Sequence, residues 1–269
     1  MGQAALHEVY NIFGVTEFVS DVAGGLLQTE NLLDELARDT AVEKTQQTAP
    51  PPAKSRIATG AAIEDAVKLA RAANTLDELA TAIAGFEGLA LRKTAMNMVF
   101  ADGNRNAKIM LVGEAPGADE DRQGKPFVGV SGQLLDKILA FIGLSRASNL
   151  YISNILNFRP PGNRTPYESE MDISLPFIER HIALVNPAIL LLAGNTSLKT
   201  LLRKTEGITK LRGKWQKFEP KYPELFDTPP DILCLPTYHP AFLLRSPDNK
   251  PHVWQDILAL LQKMRELKL

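Results

Sequence analysis

Carboxylates, a histidine, an amide and an aromatic ring gather in two short stretches and one strand end of this 269-residue chain. The first stretch runs Lys108-Ile-Met-Leu-Val-Gly-Glu-Ala-Pro-Gly-Ala-Asp-Glu-Asp121 and continues through Gln123-Gly-Lys-Pro-Phe-Val-Gly129; the second is Leu235-Pro-Thr-Tyr-His-Pro-Ala-Phe-Leu-Leu-Arg245. Each starts as a buried-type strand and breaks into a polar loop stiffened by Gly and Pro. In an open α/β sheet, ligands bind at the carboxyl ends of strands. Glu114, Asp119, Glu120 and Asp121 can orient a water or anchor a loop, although Asp121 with Arg122 also reads as a surface ion pair. Backbone N–H groups of the Gly113–Gly117 turn offer the same service. His239, held by Pro240, can donate a hydrogen bond to an oxygen that gains negative charge. Phe127, between Pro126 and Val128, presents a face to a planar ring or else plugs the core. The amide of Asn154 sets a donor beside an acceptor, which suits it to a ligand that offers both, while an Asn at a strand end also serves as a turn former. Asn157 competes for the same role.

These side chains need a frame. Apolar runs at 108–113, 150–155, 188–193 and 231–236 predict strands buried on both faces. Helical spacing predicts helices at 132–142, capped by Ser131 and ended by Gly143, and at 168–185, 195–204 and 252–267. Thr75 with Glu78 forms a capping box that opens an earlier helix toward Gly85. Alternation of strand and helix gives an α/β fold, a three-layer sandwich whose central, mainly parallel four-stranded sheet is flanked by helices. Residues 1–40 read as an arm with loose helical spacing, 41–57 as a Pro-rich linker, and 58–269 as the folded domain.

With 45% apolar residues and no apolar run of about 18, the chain reads as globular and without a membrane span. Its amino terminus has no secretory pattern, Leu6 rules out a myristoylation site, and Cys234, the single cysteine, fits a reducing compartment. Net charge is −1, unpromising for a polyanionic partner until it is divided. Residues 1–60 hold 4 Lys/Arg against 8 Asp/Glu, which leaves 26 against 23 for 61–269. The folded domain is mildly basic, and Arg159, Arg164, Arg212 and Arg245 fall in or near expected loops.

Gly113-Glu-Ala-Pro-Gly117 together with His239-Pro-Ala-Phe-Leu-Leu-Arg245 resembles the two signature motifs of the uracil-DNA glycosylase superfamily, most closely its family 4. The likeness covers roughly 86–269 and includes Pro126-Phe127-Val128-Gly129, Asn154 ahead of Arg159-Pro-Pro-Gly-Asn-Arg164, and Arg212-Gly-Lys-Trp215. It implies a DNA-repair hydrolase that extrudes uracil, cleaves its N-glycosidic bond and leaves an abasic site. The resemblance assigns stacking to Phe127, uracil recognition to Asn154, and to His239 a hydrogen bond to uracil O2 from a neutral imidazole. It makes Gly113, Ala115 and Gly117 the pocket wall. Glu114 would anchor the pocket loop, and Glu120 would orient water or fill the space of a thymine methyl. Leu243 is the expected wedge, with Arg245, Arg164 and Arg212 on the phosphates; a hydrophobic cluster at a helix start is the plainer reading of Leu243. His7, His181 and His252 read as structural. The implied setting is cytoplasmic and nucleoid-associated, with a monomer acting on uracil-containing DNA.

Two departures stand out. Family 1 has an aspartate where this chain has Ala115, so that water-positioning carboxylate is missing. Family 4 typically binds an iron–sulfur cluster through four cysteines, and those places hold Phe86, Leu89, Phe158 and Leu175. Without thiolates the resemblance implies no cofactor, and Cys234 within the fourth strand reads as a buried thiol. A catalytically weak binder of uracil or abasic DNA, and a glycosylase of broader base range, stay open. The covalent branch would need a histidine in a basic insertion, which Phe158-Arg-Pro-Pro-Gly-Asn-Arg-Thr165 lacks.

Overall fold

The computed structural model describes residues 53–269, with side chains from residue 59 on. The arm expected over 1–40, His7 and the linker up to residue 52 lie outside the described residues. Helix α1 (Ala53–Ala72) starts inside the range read as linker, so 53–57 are helical rather than extended.

The sheet has six strands in the order β1-β3-β2-β4-β6-β5. Its four central strands, β3 (Leu150–Asn154), β2 (Ile109–Gly113), β4 (Ile189–Ala193) and β6 (Leu233–Thr237), are parallel and match the four expected ones. Two antiparallel edges were not expected: β1 (Ala101–Gly103) on β3 and β5 (Gln216–Lys217) on β6. At three and two residues they are too short to carry a period-2 signal.

Alternation along the central strands splits the core into two layers. Met110, Val112, Leu190, Leu192 and Cys234 face one side, where α1, α2 (Leu76–Gly85), α5 (Glu168–Val185) and α6 (Asn195–Leu202) cover them. Ile109, Leu111, Leu191 and Leu235 face the other, under α4 (Val130–Ala140), α8 (Pro240–Arg245) and α9 (Lys250–Leu267), and the short α3 (Ala118–Gln123) and α7 (Ile208–Leu211) lie in the connections after β2 and before β5. Apolar side chains on both faces are what a parallel sheet between two helical layers requires.

Thr75 caps α2 as expected, its Oγ1 accepting from Glu78 N–H at 3.1 Å, while Glu78 reaches back to Asn74 N–H at 2.7 Å. The α4 cap is corrected from Ser131 to Gly129, two residues earlier, because α4 packs against the preceding turn through Gly132, where a Cβ would collide with the Phe127 backbone. Register then brings the site together. Gly113 pairs with Asn154 and Ala193 with Thr237, so the loops after all four parallel strands leave from one edge of the sheet.

Candidate active site

At that edge lies a cavity of about 430 Å³, within the range of small-molecule sites. Glu114, Ala115, Gly117, Glu120, Phe127, Asn154, Arg164, His239 and Arg245 line it, so residues from both motifs and from the end of β3 meet as expected. Ser131, Pro160, Asn163 and Thr165 line it too, although the sequence assigns none of them a role there.

Asn154 is buried at the end of β3, and its Oδ1 is the sole buried side-chain oxygen or nitrogen among the described residues that has no hydrogen-bond partner. An orphaned buried acceptor costs about 1–3 kcal/mol, so it points to a ligand donor. Gly113 leaves the space: a Cβ there would collide with Asn154 Oδ1 and stand 2.5 Å from Phe127 Cζ. Asn157 is not a competitor, because its Nδ2 donates to Val99 O at 3.0 Å, away from the cavity.

Phe127 is buried beside His239, ring centroids 5.5 Å apart and planes at 30°. Its φ of 54° lies in the left-handed region, a strain of order 1–3 kcal/mol for such a residue. The turn is held from both sides. Glu120 Oε1 accepts from Val128 N–H and Gly129 N–H, each at 2.9 Å, and its Oε2 accepts from Gly117 N–H at 3.1 Å. Arg146 donates to Pro126 O at 2.7 Å and to Phe127 O at 2.5 Å, and pairs with Asp102 and Asp136. With three backbone N–H groups on its carboxylate, Glu120 joins the first motif to the Phe127 turn. Arg146 had no motif to mark it, since its partners are remote in sequence.

His239 opens α8 as its N-cap. Its Nδ1 accepts from Ala241 N–H at 3.2 Å, which leaves the ring proton on Nε2 and makes that nitrogen a donor. Burial, with the nearby Arg245 charge second, pushes the imidazole down to about 4. It is therefore a neutral donor at physiological pH. Glu114 Oε2 accepts from Thr196 Oγ1 at 2.5 Å, which leaves Oε1 to take a second donor such as a water. Thr196, at the start of α6, carried no sequence signal.

Three expectations change. Leu243 is fully buried against the second core layer, so it does not serve as a wedge; Leu244, 39% exposed, takes the outward position. The phase of a six-residue helix decides between them. Arg212 does not face phosphates. Its guanidinium pairs with buried Asp256 at 2.6 and 3.2 Å and donates to His252 O, tying the segment ahead of β5 to α9, while Thr237 Oγ1 donates to the same carboxylate at 2.8 Å. Burial pushes the Asp256 carboxyl up to about 6 even though Thr237 and Arg212 bond to it. Asp121 does not pair with Arg122: it is buried, accepting from Met96 and Asn97 N–H at 2.9 and 3.0 Å, and Arg122 pairs with Asp119 instead. Arg164 and Arg245 do reach the cavity rim, Arg164 as a partner of Glu170. His181, buried with its Nε2 2.9 Å from Tyr151 Oη, sits in the core.

An iron–sulfur cluster does not fit this chain. Phe86, Leu89, Phe158 and Leu175 are all buried in the first core layer, and the Phe86 ring meets Phe177 edge-on at 5.1 Å. The single cysteine, Cys234, lies buried in β6, where burial raises its thiol.

A model of the uracil-DNA glycosylase superfamily matches residues 100–262. Type-4 uracil-DNA glycosylases of Sulfurisphaera tokodaii and Saccharolobus solfataricus are each 38% identical to this chain, over 178 and 191 residues. The matches cover 64% of this chain and 76% of the first relative, and 68% of this chain and 83% of the second. That of Archaeoglobus fulgidus is 33% identical over 186 residues, covering 68% of this chain and 89% of the relative.

Proposed function

The chain belongs to the uracil-DNA glycosylase superfamily, and from that premise we propose that its cavity extrudes and hydrolyses uracil from DNA through the residues described above. Uracil enters against Phe127, which stacks on its face, while Gly113, packed directly on the Phe127 ring, lets that ring and the Asn154 amide lie close together. The Asn154 amide reads O4 and N3–H, the base's donor satisfying the orphaned Oδ1. That orphaned acceptor is the observation that carries the reading, because cytosine presents an acceptor where uracil presents N3–H. As the bond between C1′ and N1 lengthens, the sugar gains positive charge and the electron pair goes to the base. His239 Nε2–H donates to O2 and stabilises the uracil anion. A water held by Glu114, itself fixed by Thr196, adds its oxygen to C1′, and the proton it loses ends on the uracil anion, which leaves as neutral uracil. The dissociative route needs little help from a base, which accommodates Ala115. Glu120 acts through the Phe127 turn, and Leu244 with Arg245 engages the duplex in place of the buried Leu243.

The reading takes the protein to be a monomer that needs no cofactor and works where bacterial DNA is kept. Multiple-turnover assays with oligonucleotides carrying uracil, hypoxanthine, xanthine or thymine opposite each base test it. Free uracil and alkali-labile abasic sites are expected. Tight binding with no base released would make the chain a binder, and an adduct that survives denaturation would assign the covalent route.

A further inference from the structure

Among the described residues a single Phe, Trp or Tyr side chain is exposed: Tyr167, 50% exposed, just ahead of α5. Solvent-facing tyrosines usually need no explanation. This one is held in place. Its N–H donates to Glu170 Oε2 at 2.8 Å, and the Arg164 guanidinium carbon lies 3.9 Å from its ring centroid. Arg164 is locked in turn, its two terminal nitrogens donating to the Glu170 carboxylate at 2.9 and 2.6 Å and one of them to Thr165 O at 3.1 Å. Bidentate pairing of this kind fixes geometry as well as charge. Because Arg164 lines the cavity, the tyrosine ring stands one layer outside the rim.

We propose that Tyr167 is a stacking platform for the nucleobase flanking the extruded uracil in a single strand, with Arg164 layered between the ring and the cavity. The inference rests on the uracil-glycosylase reading and adds a determinant of substrate form to it. Every base has a π-face, so a preset ring takes any neighbour without sequence preference. In a duplex the flanking base keeps its own stack and has little to gain. In a single strand it has lost that partner, and a rigid ring beside the cavity replaces it. The helix-start contact of Tyr167 uses its backbone N–H, so the ring itself plays no part in starting α5.

Single-turnover excision on single-stranded and duplex uracil oligonucleotides tests this with Tyr167→Ala, Tyr167→Phe and Tyr167→Trp. A further pair of single strands carries an abasic spacer directly 5′ or 3′ of the uracil. Tyr167→Ala should raise the half-saturating concentration on the single strand by about 5- to 100-fold, leaving the limiting rate nearly unchanged. Phe and Trp should behave as wild type, and the duplex should show a much smaller effect. One of the two spacers should cost the wild type the same factor while costing Tyr167→Ala nothing more. Wild-type saturation by the alanine variant on the single strand would overturn the proposal. So would a Phe variant as weak as Ala, which assigns the effect to the hydroxyl, or spacer and alanine losses that multiply. Wild-type protein that releases no uracil from any strand would instead overturn the underlying reading, and this proposal with it.

Discussion

Asn154 and Phe158 stand four positions apart in sequence, one in the cavity and the other in the apolar plug that fills the family's cluster positions. The two regions satisfy their atoms differently. In the plug, Phe86, Leu89, Phe158 and Leu175 pack with Phe177 and offer no donor or acceptor from their side chains. In the cavity an acceptor is left without a partner, a ring nitrogen carries an unused proton and an aromatic residue is held at positive φ. The plug asks only for volume. The cavity asks for particular atoms, and it tolerates strain and an unpaired group that a bound base can offset.

The sharpest test of that contrast is to empty the plug. Phe86→Ala should destabilise the protein by about 3–5 kcal/mol, as large aromatic truncations in cores do, while the folded fraction excises uracil at the wild-type rate. Denaturant midpoints and single-turnover rates measure the two sides, and a slowed chemical step in the folded variant would mean that the plug and the cavity are coupled. Removing the imidazole in His239→Ala should do the reverse. A single-turnover loss of about 10²- to 10³-fold is expected from one lost donor, with the thermal midpoint nearly unchanged; an excision rate close to wild type would remove His239 from the leaving-group role.

Glu120→Ala lies between the two regions in kind and in size. It frees the Val128, Gly129 and Gly117 N–H groups, so it should cost about 1–3 kcal/mol of stability and slow excision without abolishing it, through a looser Phe127. If Glu120 also occupies the space of a thymine methyl, thymine release should rise; complete inactivity in a folded variant would instead make this carboxylate indispensable to the chemistry.

The smallest expected effects are absences of change. Chelator should leave activity intact and the purified protein should be colourless; iron lost together with activity would overturn the description of the plug. The pH profile should also be flat through the usual histidine range. The folded pKa of His239 lies below its ordinary value, at about 4, so the ring is neutral from about pH 5 upward and protonates only in stronger acid. An inflection near pH 6.5 that disappears in His239→Gln would show that a cationic imidazole is at work.

Much of this was legible in the sequence because it depends on local patterns. Apolar runs buried on both faces marked the four parallel strands, and Gly and Pro marked the loops that carry Glu114, Phe127 and His239. A single cysteine excluded four thiolates at once, and the family resemblance supplied the places where apolar residues stand instead. The rest needed the third dimension. Edge strands of two and three residues have no period to read. Whether Leu243 or Leu244 faces out depends on the phase in which a single helical turn and a half docks on the core. The resemblance puts Arg212 on the phosphates, and nothing in the sequence marks its actual carboxylate partner, Asp256, 44 residues away. Thr196 and Arg146 were invisible for the same reason: a hydrogen bond links atoms that folding brings within 3 Å, and residue spacing along the chain carries no record of that approach.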